Sequence, residues 1–106
     1  MTERPNDPAL LILTSLASGA KHGYALLQDI EGFASVRLGP GTLYGAIARL
    51  ERRGLIEAVG AEGRRRPYRL SEAGAAELEQ TLAELQTVVR EGTTRLARLG
   101  RVAVTR

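Results

Sequence analysis

The last third of the chain constrains the fold most. Leu78, Leu82, Leu85, Val89, Gly92, Leu96, Leu99 and Ala103 follow one another at alternating spacings of four and three residues. A position repeating about every 3.5 residues is a heptad seam, which a single long helix presents along one face. Ser71 is a natural cap for that helix, and Glu72 sits in its first turn near the positive end of the dipole. A chain of 106 residues builds one modest core, with no room to pair a helix of this length along its whole seam. The seam therefore argues for a second copy, with Leu78, Leu82, Leu85, Val89, Leu96 and Leu99 as the dimerisation residues. An intrachain contact with the first helix is the alternative, and the two can coexist. Gly92, on the seam, marks a kink, a close crossing or the end of regular pairing.

Upstream, glycine and proline divide the chain into short elements. Asp7-Pro8 is an N-cap followed by proline at the first helical position. It opens a helix to about Ser18 that is apolar on most sides (Leu10, Leu11, Ile12, Leu13, Leu16), so this helix is buried on more than one side; Gly19 ends it. A second helix runs from about Gly23 to Glu31 with Leu26, Leu27 and Ile30 inward, and Gly32 is expected to stop it. Val36 to Leu38 reads as a short extended piece. Pro40 opens a third helix reaching about Arg53, closed by Gly54. Leu55 to Val59 and Pro67 to Leu70 then read as two strands of a hairpin around a turn at Gly60 to Gly63. Helix, helix, helix, hairpin, helix is the layout of a mainly α protein with a small β-hairpin. It is a winged helix-turn-helix at 1–70, carrying a long C-terminal dimerisation helix at 71–106.

Charge points to the partner. The net charge is only +3, but residues 49–70 hold seven arginines against three glutamates. The flanking stretches are close to neutral. A localised basic patch is the electrostatic footprint of an anionic partner, nucleic acid first. A solvated charged face gives the same composition, so the placement of the arginines matters more than their number.

On a wheel of about 100° per residue, Leu43, Ile47 and Leu50 form the buried stripe of the third helix, flanked by Ala46. The opposite face carries Gly41, Gly45, Ala48, Arg49 and Arg52, with Thr42 and Tyr44 on its shoulders. It is bare at the N-terminal end and cationic further back. A recognition helix over about 40–53 enters a major groove N-terminus first, and glycines there let the backbone approach closely. Arg49 and Arg52 reach phosphates at the groove edge. Thr42 and Tyr44 can bond to base or phosphate, and Ala48 can meet a thymine methyl. A frayed helix start beside a solvated face is the competing interpretation. The second basic cluster, Arg64, Arg65 and Arg66, lies beside the turn of a wing at 60–67. It fits the flanking minor groove or its phosphates; an edge strand protected by charge is the alternative. Tyr68 is expected in the core. Lys21 and His22, at the start of the second helix, are within reach of phosphate, and a capping or core role suits His22 equally.

These residues are similar to the PadR family of bacterial transcriptional regulators. The resemblance rests on HGYALLQDI at His22–Ile30, GPGTLYGAIARLERRGLIE at Gly39–Glu57 and GRRRPYRLSEAG at Gly63–Gly74. It covers about residues 9–75, and the single C-terminal helix resembles the family's short branch. The resemblance implies a dimeric winged-helix repressor of an inverted-repeat operator, paired through its C-terminal and first helices. By that match Pro40, Gly41, Thr42, Tyr44 and Arg49 fall at recognition positions, and Gly63 to Arg66 at the wing tip. Gly39 departs from the serine usual at its position, and the chain has no tryptophan of the kind with which some members sandwich flat drugs.

The expected partners are thus double-stranded operator DNA and a second copy of the chain. A small-molecule effector that the sequence does not identify would act by changing the spacing of the two recognition helices. A winged-helix protein-interaction module that ignores DNA is the rival function. An enzyme is not expected, because no nucleophile–base pair, metal cluster or phosphate loop is legible. With no cysteine and one histidine, neither a metal nor another cofactor is expected. No stretch is apolar enough to span a bilayer, and the N-terminus lacks a signal-peptide pattern. A cytoplasmic protein is the expectation.

Overall fold

The structure, a computed structural model, describes residues 6–60 and 66–101. Its order is α1 (Pro8–Leu16), α2 (Gly23–Ala34), α3 (Pro40–Arg52), β1 (Ile56–Ala58), β2 (Tyr68–Leu70) and α4 (Glu72–Arg98). The expected fold class is therefore present: mostly helical, with one antiparallel hairpin and a long final helix.

The helix α1 is the hub. The Asp7 carboxylate accepts the Leu10 N–H at 3.2 Å, and Leu10 to Leu13 and Leu16 are all buried. Burial on every side follows from its position, in contact with α2, α3, β2 and the start of α4. The buried Ser15 hydroxyl donates to the Asp29 carboxylate at 2.6 Å, tying α1 to α2. Leu26 and Ile30 from α2 and Leu43, Ala46, Ile47 and Leu50 from α3 complete this core, with Leu55 and Ile56 beneath them.

The helix α2 does not stop at Gly32 as expected. It runs to Ala34 and ends at Ser35, whose φ of 57° is left-handed. One interior glycine costs a helix about 1 kcal/mol. Ala34 packing against the core outweighs that, so Gly32 is simply an exposed helical residue. Val36 to Leu38 forms no strand. At the end of α3, Gly54 takes φ 76°, the conformation that lets the chain turn sharply into β1.

The hairpin pairs Ile56 with Leu70, Glu57 with Arg69 and Ala58 with Tyr68. It also has a third member that the sequence did not announce. Lys21 bridges to Tyr68, with N···O distances of 3.0 and 2.9 Å in the two directions, so β2 is paired on both sides. The joint into α4 is equally fixed. The Ser71 hydroxyl accepts the Gly74 N–H at 3.0 Å and donates to the Gly54 carbonyl at 2.6 Å. Gly74 presses so closely on this joint that a Cβ there would collide with the Leu55 carbonyl oxygen.

The 27 residues of α4 span about 40 Å at ~1.5 Å per residue. Only its first turns belong to the core: Gly74, Leu78 and Thr81 are buried, and Leu85 packs against the cluster from the side. Every described residue from Gln86 onward is exposed. No helix among the described residues is long and apolar enough to cross a membrane.

Candidate nucleic-acid interface

The inward stripe of α3 is fully committed, and its outward face is the one the wheel indicated. Pro40, Gly41, Thr42, Tyr44, Arg49 and Arg52 are exposed, while Gly45 and Ala48 are half-buried. Among the described residues, nothing requires the two glycines on that face to be small. A Cβ built on Gly41 meets nothing within 4 Å, and one on Gly45 meets only Arg49 Nη1, at an ordinary 3.6 Å. Gly74 is the opposite case, required by the chain's own packing. Gly45, inside the helix, costs roughly 1 kcal/mol against alanine, and no packing among the described residues accounts for it.

The helix caps separate into two pairs. The framework helices α1 and α4 are capped by the side chains of Asp7 and Ser71. The helices of the helix-turn-helix are not: neither His22 before α2 nor Gly39 before α3 makes a side-chain cap hydrogen bond. In α3 the first intrahelical amide is that of Leu43, bonded to the Gly39 carbonyl at 2.9 Å. The Gly41 and Thr42 N–H groups lie ahead of it and face outward at the positive end of the dipole, where an anion is favoured.

The arginines also divide. Arg53 pairs with Glu77 at 3.6 Å, Arg37 with Glu31 at 2.9 Å and Arg69 with Glu57 at 3.3 Å. Among the described residues neither Arg49 nor Arg52 forms an ion pair. Arg49 lies back over Gly45 toward the start of the helix, the direction in which helical side chains lean. Its guanidinium therefore overhangs the bare end.

Two residues expected at the DNA also make contacts within the chain. Lys21 is not free to reach phosphate. Its ammonium donates to the Ser15 carbonyl at 2.6 Å, to Ser18 Oγ at 2.8 Å and to the Gly19 carbonyl at 3.3 Å, which fastens the end of α1. Tyr44 does not project freely from α3. Its ring lies over the Gly23 backbone, with Cζ only 2.8 Å from where a Gly23 Cβ would stand. Tyr68 is half-buried against the core. Of the wing residues, Arg66 is exposed, whereas Gly63, Arg64 and Arg65 lie outside the described residues.

The heptad seam is shared between two surfaces. Leu78 is 7% exposed and belongs to the chain's own core, joined by Leu85. Leu82, Val89, Leu96 and Leu99 are exposed, Leu99 at 76%. Val88, also exposed, widens the seam and was not anticipated because it falls off the four-three spacing. Ala103 lies outside the described residues.

With this geometry in place, comparison with known proteins is specific. Residues 12–80 match the model of the transcriptional regulator PadR-like family. The chain is 39% identical over 85 residues to the transcriptional regulator Rv3488 of Mycobacterium tuberculosis, covering 77% of this chain and 78% of that protein. It is 48% identical over 77 residues, or 73% of its own length, to an uncharacterized 37.1 kDa protein in transposon TN4556 of Streptomyces fradiae, but spans only 22% of that protein. Among solved structures, a PadR family transcription regulator from Clostridium difficile superposes with a TM-score of 0.75 at 26% identity. That match covers 84% of this chain and 97% of the other.

Proposed function

Because the chain belongs to the PadR-like family of transcriptional regulators, we propose that it is a homodimeric repressor of an inverted-repeat DNA operator. The family consists of regulators, not enzymes. The observation that carries DNA binding is the bare outward face of α3. Among the described residues Gly41 and Gly45 have no neighbour that needs them small, the first amides lack intrahelical partners, and Arg49 overhangs the gap. In this reading α3 enters the major groove and the wing at 60–67 lies on the flanking minor groove or backbone. Thr42, Ala48 and Arg49 meet base edges, while Arg52 and the wing arginines meet phosphates. The exposed part of the seam on α4, from Leu82 to Leu99, pairs two copies. It holds their α3 helices about one turn of DNA apart, roughly 34 Å. An effector would act by altering that spacing.

Mobility shifts with DNA upstream of the chain's own gene, run over a salt series, test the reading. Six to ten phosphate contacts per dimer lower affinity roughly 10³–10⁵-fold between about 50 and 200 mM salt. Changing Arg64, Arg65 and Arg66 together to Ala should weaken binding and flatten the salt dependence while the dimer persists. A folded dimer that binds no DNA specifically at any salt refutes the repressor and leaves a protein-interaction module.

A further inference from the structure

Between the start of α2, the flank of α3 and the foot of the wing lies an open cleft of about 230 Å³. Its lining gathers all three tyrosines of the chain, Tyr24, Tyr44 and Tyr68, with its only histidine, His22, and with Arg66. Among the described residues no carboxylate lines it. The groups present are hydrogen-bond donors: a guanidinium, an imidazole and phenolic hydroxyls. The Tyr24 hydroxyl accepts from Gln28 Nε2 at 3.3 Å, which leaves its own proton to give. At about 30 Å³ per water, the cleft has room for a phosphate group and several waters.

The placement of Tyr44 gives the cleft its meaning. Its ring rests on Gly23, and a Cβ at position 23 would collide with the Tyr44 hydroxyl. The hydroxyl thus lies beside the start of α2, on the shoulder of α3 that faces the cleft. The first helix of a helix-turn-helix crosses the DNA backbone while the second enters the groove. The cleft sits at that crossing, between the groove-entering helix and the wing.

We propose that the cleft seats one phosphate of the DNA backbone, held by Arg66, His22 and the Tyr44 hydroxyl. Tyr44 is then a backbone anchor and not a reader of bases. This rests on the DNA-binding reading above and adds a contact that positions the protein without specifying sequence. Gly23 belongs to the same device, because a side chain there would displace the Tyr44 ring from its present seat.

The test uses the full chain, with Tyr44→Phe, which keeps the ring and removes the hydroxyl, and Arg66→Ala. Binding is measured on the upstream fragment and on an unrelated duplex of equal length. Tyr44→Phe should weaken both by the same factor, about tenfold per protomer for a lost hydrogen bond to a charged group, leaving their ratio unchanged. Arg66→Ala should reduce the slope of log affinity against log salt by about 0.9 per protomer. Single methylphosphonate substitutions along the fragment should then show one position per half-site where the wild type loses affinity and both variants lose nothing more. Loss on the upstream fragment alone, with the unrelated duplex unaffected, makes Tyr44 a base reader and overturns the proposal. So does a variant penalty that is the same at every methylphosphonate position. A wild-type dimer that binds neither duplex overturns the DNA-binding reading itself, a result that cannot be mistaken for failure of the cleft alone.

Discussion

Replacing Gly41 and Gly45 with alanine should make this protein more stable and worse at binding DNA. Both positions are helical, and the space a Cβ needs is already there, with 3.6 Å to Arg49 Nη1 as the tightest contact. At Gly45, inside the helix, alanine should contribute about 0.5–1 kcal/mol by helix propensity and by restricting the unfolded chain. Gly41 lies in the first turn, where the gain is a few tenths of a kcal/mol. Together they stabilise by about 1 kcal/mol, worth roughly 4–8 °C in the melting midpoint of a domain this size. Midpoints must be compared at equal protein concentration, since a dimer's stability depends on it. On DNA the same two methyl groups stand where the backbone of α3 is meant to approach the groove, so affinity for the upstream fragment should fall at least tenfold. Thermal unfolding and mobility shifts on one preparation decide the matter. A variant that is stabilised yet binds DNA as well as the wild type refutes the clearance argument. A destabilised variant refutes the claim that nothing inside the chain needs those glycines.

Two further outcomes test how the structure divides one seam and one kind of residue. Leu78→Ala should destabilise the folded chain by about 2–5 kcal/mol, as truncation of a buried leucine does, whereas Leu96→Glu should leave unfolding of the individual chain nearly unchanged and shift the mass in light scattering from dimer to monomer. Gly74→Ala should cost about 1–3 kcal/mol, because its Cβ meets the Leu55 backbone and not a movable side chain, in contrast to the gain at Gly45; a denaturant titration reads both.

Most of the architecture was legible because it is written in local chemistry. Asp7-Pro8, Pro40 and Ser71 mark where helices begin, and Gly54 marks where α3 turns into the hairpin, since capping and backbone conformation depend on neighbours a few residues away. The stripe of Leu43, Ile47 and Leu50, and the seam from Leu78, are periodic, and periodicity states which face is apolar. Gly32 misled because a helix-weakening residue stops a helix only where packing does not carry the chain through, and Ala34 does so here.

The tertiary structure decided what each face and each glycine is for. Sequence spacing treats Leu78 and Leu96 alike; the fold puts one in the core and leaves the other exposed, because α1 reaches only the first turns of α4. Composition treats all glycines alike; only the surroundings distinguish Gly74, which the Leu55 backbone forbids to be larger, and Gly23, which the Tyr44 ring overlies, from Gly41 and Gly45, which no described neighbour requires to be small. Lys21 sits within reach of phosphate by sequence and ties down the end of α1 in the fold, and the Tyr44 ring, which by sequence suits base or phosphate, lies against Gly23. The sequence by itself determined the order of the elements and the local excess of arginine that favours an anionic partner. Which side chains are free to meet that partner depends on contacts between residues far apart in the chain, and those exist only once it is folded.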